Sequence, residues 1–157
     1  MSSQHSLYPG AVTSMIRYGD QIQGFLAVPE NQPGPFGAVV LGHERYGVAQ
    51  HTLDLVAKFA AHGYVALAPD MLSRWDGDKD AVGRGDIQVR TSDQDIRSYM
   101  GDSLDYLLAH HQVDPDRIFG AGDVLLATIS PDAATPRLST ATMSGCPWPF
   151  PCLNNRR

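Results

Sequence analysis

The sequence predicts an α/β fold built on a parallel sheet. Three observations carry this expectation. Short apolar runs without polar alternation occur at Gly37 to Leu41 and at Tyr64-Val65-Ala66-Leu67-Ala68, as in strands buried on both faces. Amphipathic stretches of helical period stand between and after them. The resulting order, strand, helix, strand, helix, strand, is the one that right-handed crossovers turn into a sheet with helices on its faces. At 157 residues, one ordinary domain is expected.

Each element has a local chemical cause. Val12 to Tyr18 and Gln21 to Val28 read as two strands around a Gly19-Asp20 turn, a hairpin. Pro29-Glu30-Asn31-Gln32-Pro33-Gly34-Pro35 is a breaker-rich loop. The strand Gly37 to Leu41 comes next. A helix is expected from about Thr52 to His62, with Leu53, Val56 and Ala60 on one face, Leu55 and Phe59 beside them, and Gly63 ending it. The strand Tyr64 to Ala68 then stops at Pro69-Asp70. Residues from about 71 to 90 read as a long polar loop. Ser92 can cap a second helix whose first turn holds Asp93 and Asp95, where the helix dipole favours negative charge. Its apolar stripe is Ile96, Tyr99, Met100, Leu104, Leu107 and Leu108. Asp114-Pro115-Asp116 is a turn, and Arg117-Ile118-Phe119-Gly120-Ala121 opens a further strand.

Composition narrows the function classes. The chain is 43% hydrophobic and 18% charged, as globular domains are. A formal net charge of −5, with scattered Lys and Arg, argues against nucleic acid, which needs a basic face. The polar segment Met1 to Gly10 lacks the apolar core of a signal peptide, and no apolar run approaches the roughly 20 residues that span a bilayer. A soluble, cytoplasmic chain without membrane partners is expected. Cys146 and Cys152 are then expected to be free thiols.

The pattern changes near residue 120. Val124 to Ile129 reads as either strand or helix, and Pro131, Pro136, Pro147, Pro149 and Pro151 interrupt the remainder of the chain. The expected organisation is a flexible N-terminus over 1–10, a domain over 11–121 and an irregular tail over 122–157. The abrupt loss of pattern in mid-strand suggests a tail read out of frame.

Ligands of parallel sheets bind at the carboxyl ends of the strands. Gly42-His43-Glu44-Arg45-Tyr46-Gly47 sits there, so its carboxylate is a candidate site residue. Together with Ala38-Val39-Val40-Leu41 before it, this stretch is one of three motifs. The second runs from Ala60 through Gly63-Tyr64-Val65-Ala66-Leu67-Ala68 to Pro69-Asp70, and the third is Val113-Asp114-Pro115-Asp116-Arg117-Ile118. In this order and spacing, residues from about 36 to 119 resemble the dienelactone hydrolase family of α/β-hydrolases. Gly24-Phe25-Leu26-Ala27-Val28-Pro29 and the hairpin also fit. The resemblance implies a partial α/β-hydrolase fold: the N-terminal hairpin, then parallel βαβαβ. It implies cleavage of small esters or lactones by a Cys-His-Asp triad, Ser replacing Cys in relatives, with the nucleophile on a sharp strand-to-helix elbow. Glu44 matches the glutamate beside the nucleophile, and the backbone N–H of Arg45 matches half of the oxyanion hole, whose donors face developing charge. No cofactor is implied. Aligning Ile118 puts Gly122 on the first elbow glycine, Val124 on the nucleophile and Leu126 on the second glycine. Valine offers no nucleophilic atom, and no histidine occurs after His111. The expected activity is therefore that of an inactive, truncated family form. The alternative is a non-catalytic remnant that binds a ligand or a full-length homologue, with self-association through exposed apolar surface.

Other constellations favour plain readings. His43 and Glu44 are adjacent on extended chain and face opposite ways, so they do not make a metal pair. Asp76-Gly77-Asp78-Lys79-Asp80 opens like a calcium loop but has Ala81 and Ile87 where Gly and Glu are needed. It reads as a solvated loop. His110-His111 is expected to face a helix C-terminus as cations. Gly120-Ala121-Gly122 lacks the third glycine of a dinucleotide loop.

Overall fold

The computed structural model describes residues 8–122 and the backbone of 139–142. Strands β1 (Ala11–Tyr18) and β2 (Ile22–Pro29) form an antiparallel hairpin, paired Tyr18 to Ile22 at the turn. The turn has three residues rather than the expected two. Gly19 and Gln21 both take positive φ, +53° and +58°, and Gln21 N–H donates to Gly19 C=O at 3.1 Å. Then come β3 (Phe36–Leu41), helix α1 (Gln50–Ala61), β4 (Tyr64–Pro69), α2 (Lys79–Arg84), α3 (Asp93–Ala109), β5 (Val113–Gly122) and β6 (Ser139–Thr142). The sheet order is β1-β2-β4-β3-β5-β6. β2 runs antiparallel to β4, and β4, β3, β5 and β6 are mutually parallel. The α/β architecture with a hairpin leading into parallel βαβαβ is the predicted one.

The two faces of the sheet carry separate cores, because alternate residues of a strand point to opposite sides. Ala38, Val40, Val65 and Leu67 pack with Ile96, Tyr99, Leu104 and Leu107 of α3. Val39, Leu41, Ala66 and Ala68 pack with Val56, Phe59 and Ala60 of α1. β3 is buried at every position, as its unbroken apolar run requires. α3 begins at the expected cap: the Ser92 hydroxyl accepts from Asp95 N–H at 3.1 Å.

Local expectations change at several places. Residues 71–90 are not all loop, since Lys79–Arg84 forms α2. Asp78, read as part of a solvated run, caps it by accepting from Ala81 N–H at 3.0 Å, and left-handed Gly85 (φ +82°) ends it. β5 starts at Val113 rather than Arg117: Phe36 pairs with Val113 and Ala38 with Ile118, so Asp114 to Arg117 bulge out of the ladder. His110 does not face its helix end as a cation. Burial, with His111 stacked at 4.9 Å, lowers its pKa, and its Nδ1 accepts from Gln112 N–H at 3.3 Å. Within the tail expected to be irregular, Ser139–Thr142 adds a short edge strand, paired in parallel to Phe119–Gly122 on one side. The rest of that tail, including Val124, Leu126, Cys146 and Cys152, lies outside the described residues.

Candidate functional site

The carboxyl ends of β3 and β5 emerge side by side. Leu41 pairs with Ala121, and Gly42 N–H donates to Ala121 C=O at 2.9 Å. The Gly42–Gly47 loop therefore starts next to the point where the chain leaves β5. Beyond β3 the loop turns tightly: Gly47 N–H donates to Glu44 C=O at 3.1 Å, and Gly47 takes φ +77°, a left-handed conformation that suits glycine. The Glu44 side chain is exposed. The Arg45 guanidinium lies 4.6 Å from the Tyr46 ring centre and donates to its hydroxyl.

His43 is the buried member of the loop, 6% exposed. Its Nδ1 lies 2.7 Å from Glu44 C=O, and its Nε2 accepts from Met71 N–H at 3.0 Å. A backbone N–H only donates, so Nε2 carries the lone pair and Nδ1 the proton. Burial pushes the His43 pKa down, in keeping with this neutral ring. The approach of Nε2 to Asp70 Oδ1, 3.9 Å, is therefore a contact with a neutral ring and not an ion pair. Both ring nitrogens are occupied, which leaves none for a metal.

Asp70 ends β4 beside this histidine. Its Oδ1 accepts from Leu72 N–H and its Oδ2 from Lys79 Nζ, both at 2.9 Å. Sequence reasoning placed Glu44 and Arg45 at the strand end but missed His43 as a latch and the Asp70–Lys79 pair. The carboxyl-end position of Pro69-Asp70 was a usable signal for Asp70. Lys79 had none, because α2 brings it there. A cleft of about 630 Å³ opens next to the pair, walled by Phe25, Val48, Leu53 and Leu72 and bordered by Tyr46 and Gly47. A smaller hollow of about 70 Å³ lies between Arg45-Tyr46 and Gly85 to Gln88.

The sequence profile of the dienelactone hydrolase family matches residues 22–123, which include both strand ends and the loop between them. The chain belongs to this family. A Yersinia pestis protein provisionally named carboxymethylenebutenolidase is 32% identical over 76 residues, 48% of this chain and 28% of the relative. A Saccharolobus solfataricus protein of the same provisional name is 39% identical over 70 residues, 45% of this chain and 25% of the relative. Each match thus spans about a quarter of the relative's length. A dienelactone hydrolase-like promiscuous phosphotriesterase from metagenomic libraries superposes with a TM-score of 0.64 at 24% identity, over 85% of this chain and 59% of that one. That likeness shows the fold. Within this family member, no helix among the described residues is long and apolar enough to cross a membrane.

Proposed function

We propose that residues 42–47 form the oxyanion side of an ester- or lactone-hydrolase site of the dienelactone hydrolase type, and that this chain does not complete the reaction. In this reading the Arg45 N–H stabilises the oxyanion of a tetrahedral intermediate, and Glu44 is the carboxylate beside the nucleophile position. The supporting observation is the Gly42–Ala121 hydrogen bond, which brings the loop next to the exit of β5. The family's nucleophile comes just after that exit, and the aligned residue here is Val124. A valine has no lone pair to attack a carbonyl and no proton for a base to take, so no acyl-enzyme can form there. The domain limits 11–121 and 122–157, and the out-of-frame origin of the tail, belong to the same proposal.

The test is turnover of an activated ester, p-nitrophenyl butanoate, by the full chain. No saturable release above that of Glu44→Gln is expected. Saturable release that disappears in Glu44→Gln would overturn the silence of the site while keeping its location.

The cleft supports a second reading, binding without turnover. Its apolar walls and the Asp70–Lys79 pair suit a small, mostly apolar ligand with one polar group. A partner can also be another copy or a full-length homologue. The edge strand β1 offers exposed apolar side chains for it on both faces, Met15 (63%) on the cleft side and Val12 (47%) on the opposite side. Sedimentation of the full chain over a concentration series would detect that association.

A further inference from the structure

We propose that His43 is the positioning residue of the oxyanion donor: its ring fixes the Glu44 carbonyl and, through that peptide plane, aims the Arg45 N–H. The inference rests on the reading of Arg45 N–H as the donor given above. A peptide unit is planar and trans, so its C=O and N–H point in opposite directions. The Glu44 carbonyl receives two hydrogen bonds, from His43 Nδ1–H at 2.7 Å and from Gly47 N–H at 3.1 Å. Both pull it toward the inside of the loop. The Arg45 N–H must then face away from the loop interior, and among the described residues no hydrogen bond uses it.

The far side of the ring is tied down as well. Met71 N–H, at the exit of β4, donates to Nε2 at 3.0 Å. A directed chain of bonds therefore runs from the carboxyl end of β4, across the imidazole, to the peptide that carries the candidate donor at the end of β3. It works only with a neutral ring protonated at Nδ1. The charged groups around it are Asp70, with Oδ1 at 3.9 Å from Nε2, and Lys79, which holds Asp70 Oδ2 at 2.9 Å. The Glu44 carboxylate is exposed. A proton on Nε2 would oppose the Met71 N–H and turn the ring toward Asp70, so acid releases the anchor.

The experiment uses the full ¹⁵N-labelled chain and reads the Arg45 N–H dipolar coupling in aligned solution. The wild-type ring should report the neutral Nδ1–H form. In His43→Leu the Arg45 coupling should change, and amide exchange at Met71 should rise about tenfold, as for one lost hydrogen bond. His43→Gln can accept from Met71 and donate to Glu44 C=O, and should restore both. If His43→Leu fails to fold, acid titration of the wild type gives the same reading: the Arg45 coupling should move together with ring protonation. An unchanged coupling in folded His43→Leu, or through ring protonation, overturns the proposal. Butanoate added to the wild type separates the two ideas. Where butanoate leaves the Arg45 amide unmoved but the coupling depends on His43, the donor reading fails and the positioning by His43 stands. Where butanoate shifts that amide equally in wild type and His43→Leu, the donor reading stands and the role of His43 is refuted.

Discussion

Gly47→Ala and Gly101→Ala add the same methyl group at two places where opposite effects are expected. At Gly47 the added Cβ would touch only Leu72 Cδ1, at 3.6 Å, which is ordinary contact. Steric crowding is therefore not the issue, and the cost comes from φ +77°. Holding an L-residue in the left-handed region costs about 1–2 kcal/mol. Alanine also restricts the unfolded chain, which returns about 0.4–1 kcal/mol. The net destabilisation is about 1 kcal/mol. Gly101 lies inside α3, and its Cβ would meet nothing within 4 Å. There alanine stabilises by about 0.5–1 kcal/mol. Urea unfolding of both variants reads the difference. With a slope of about 2 kcal/mol per M, the midpoint should fall by about 0.5 M for Gly47→Ala and rise by about 0.3–0.5 M for Gly101→Ala. Gly47→Asn should fall between Gly47→Ala and the wild type, because asparagine tolerates left-handed backbone better. A Gly47→Ala midpoint at or above the wild type's would refute the left-handed turn that shapes residues 44–47, and with it the orientation assigned to the Arg45 N–H.

Further expectations concern protons and buried bonds. Burial pushes the Tyr18 phenol up to about 12 from about 10, with its hydrogen bond to Ser103 Oγ at 2.7 Å opposing. Its raised pKa means stability is intact below about pH 10 and falls as pH rises toward 12, by up to about 2 kcal/mol. Thermal melts of the wild type and Tyr18→Phe across that range should show a steeper alkaline decline in the wild type, with part of the decline kept in the variant because burial also raises the pKa of Tyr106. At neutral pH Tyr18→Phe should cost about 1 kcal/mol, since Ser103 Oγ keeps its bond to Tyr99 C=O. Burial lowers the pKa of His43 and of His110, so the unfolded chain binds their protons first as pH falls. Their contribution is complete above about 6.5 and is lost as pH drops toward the folded values. Urea midpoints taken from pH 7.5 to 5 should decline, and less so in His43→Gln. An acid slope identical in that variant would deny His43 its part. With p-nitrophenyl butanoate, release should rise linearly with ester concentration and be the same in the wild type and Glu44→Gln.

Most of the fold was legible because its causes are local. β3 and β4 announce themselves as unbroken apolar runs, α3 by its stripe and by the Ser92 cap, and α1 by its period and Gly63. The position of Glu44 and Arg45 at a strand end came from the same pattern and from the rule that parallel sheets bind ligands at their carboxyl ends. The elements that were misread depend on partners far away in sequence, or on signals masked by charge. α2 has six residues, too few to show a period, and its cap Asp78 was hidden in an acidic run. The early start of β5 depends on Phe36, 77 residues before Val113, because only pairing reveals a bulge.

The sequence by itself determined the type and order of β1 to β4, α1, α3 and β5, the family and the loop at the end of β3, since periodicity, caps and breakers act within a few residues. The tertiary structure alone decided what His43 does. One of its bonds is to its neighbour Glu44, but the other comes from Met71, 28 residues on, and only the parallel pairing of β3 with β4 sets those two strand exits side by side. It likewise decided that Lys79 meets Asp70 and that Gly42 meets Ala121. A side chain's partners are set by where the chain returns, and that is fixed by burying two apolar sheet faces at once, a sum over the whole domain that no local window contains.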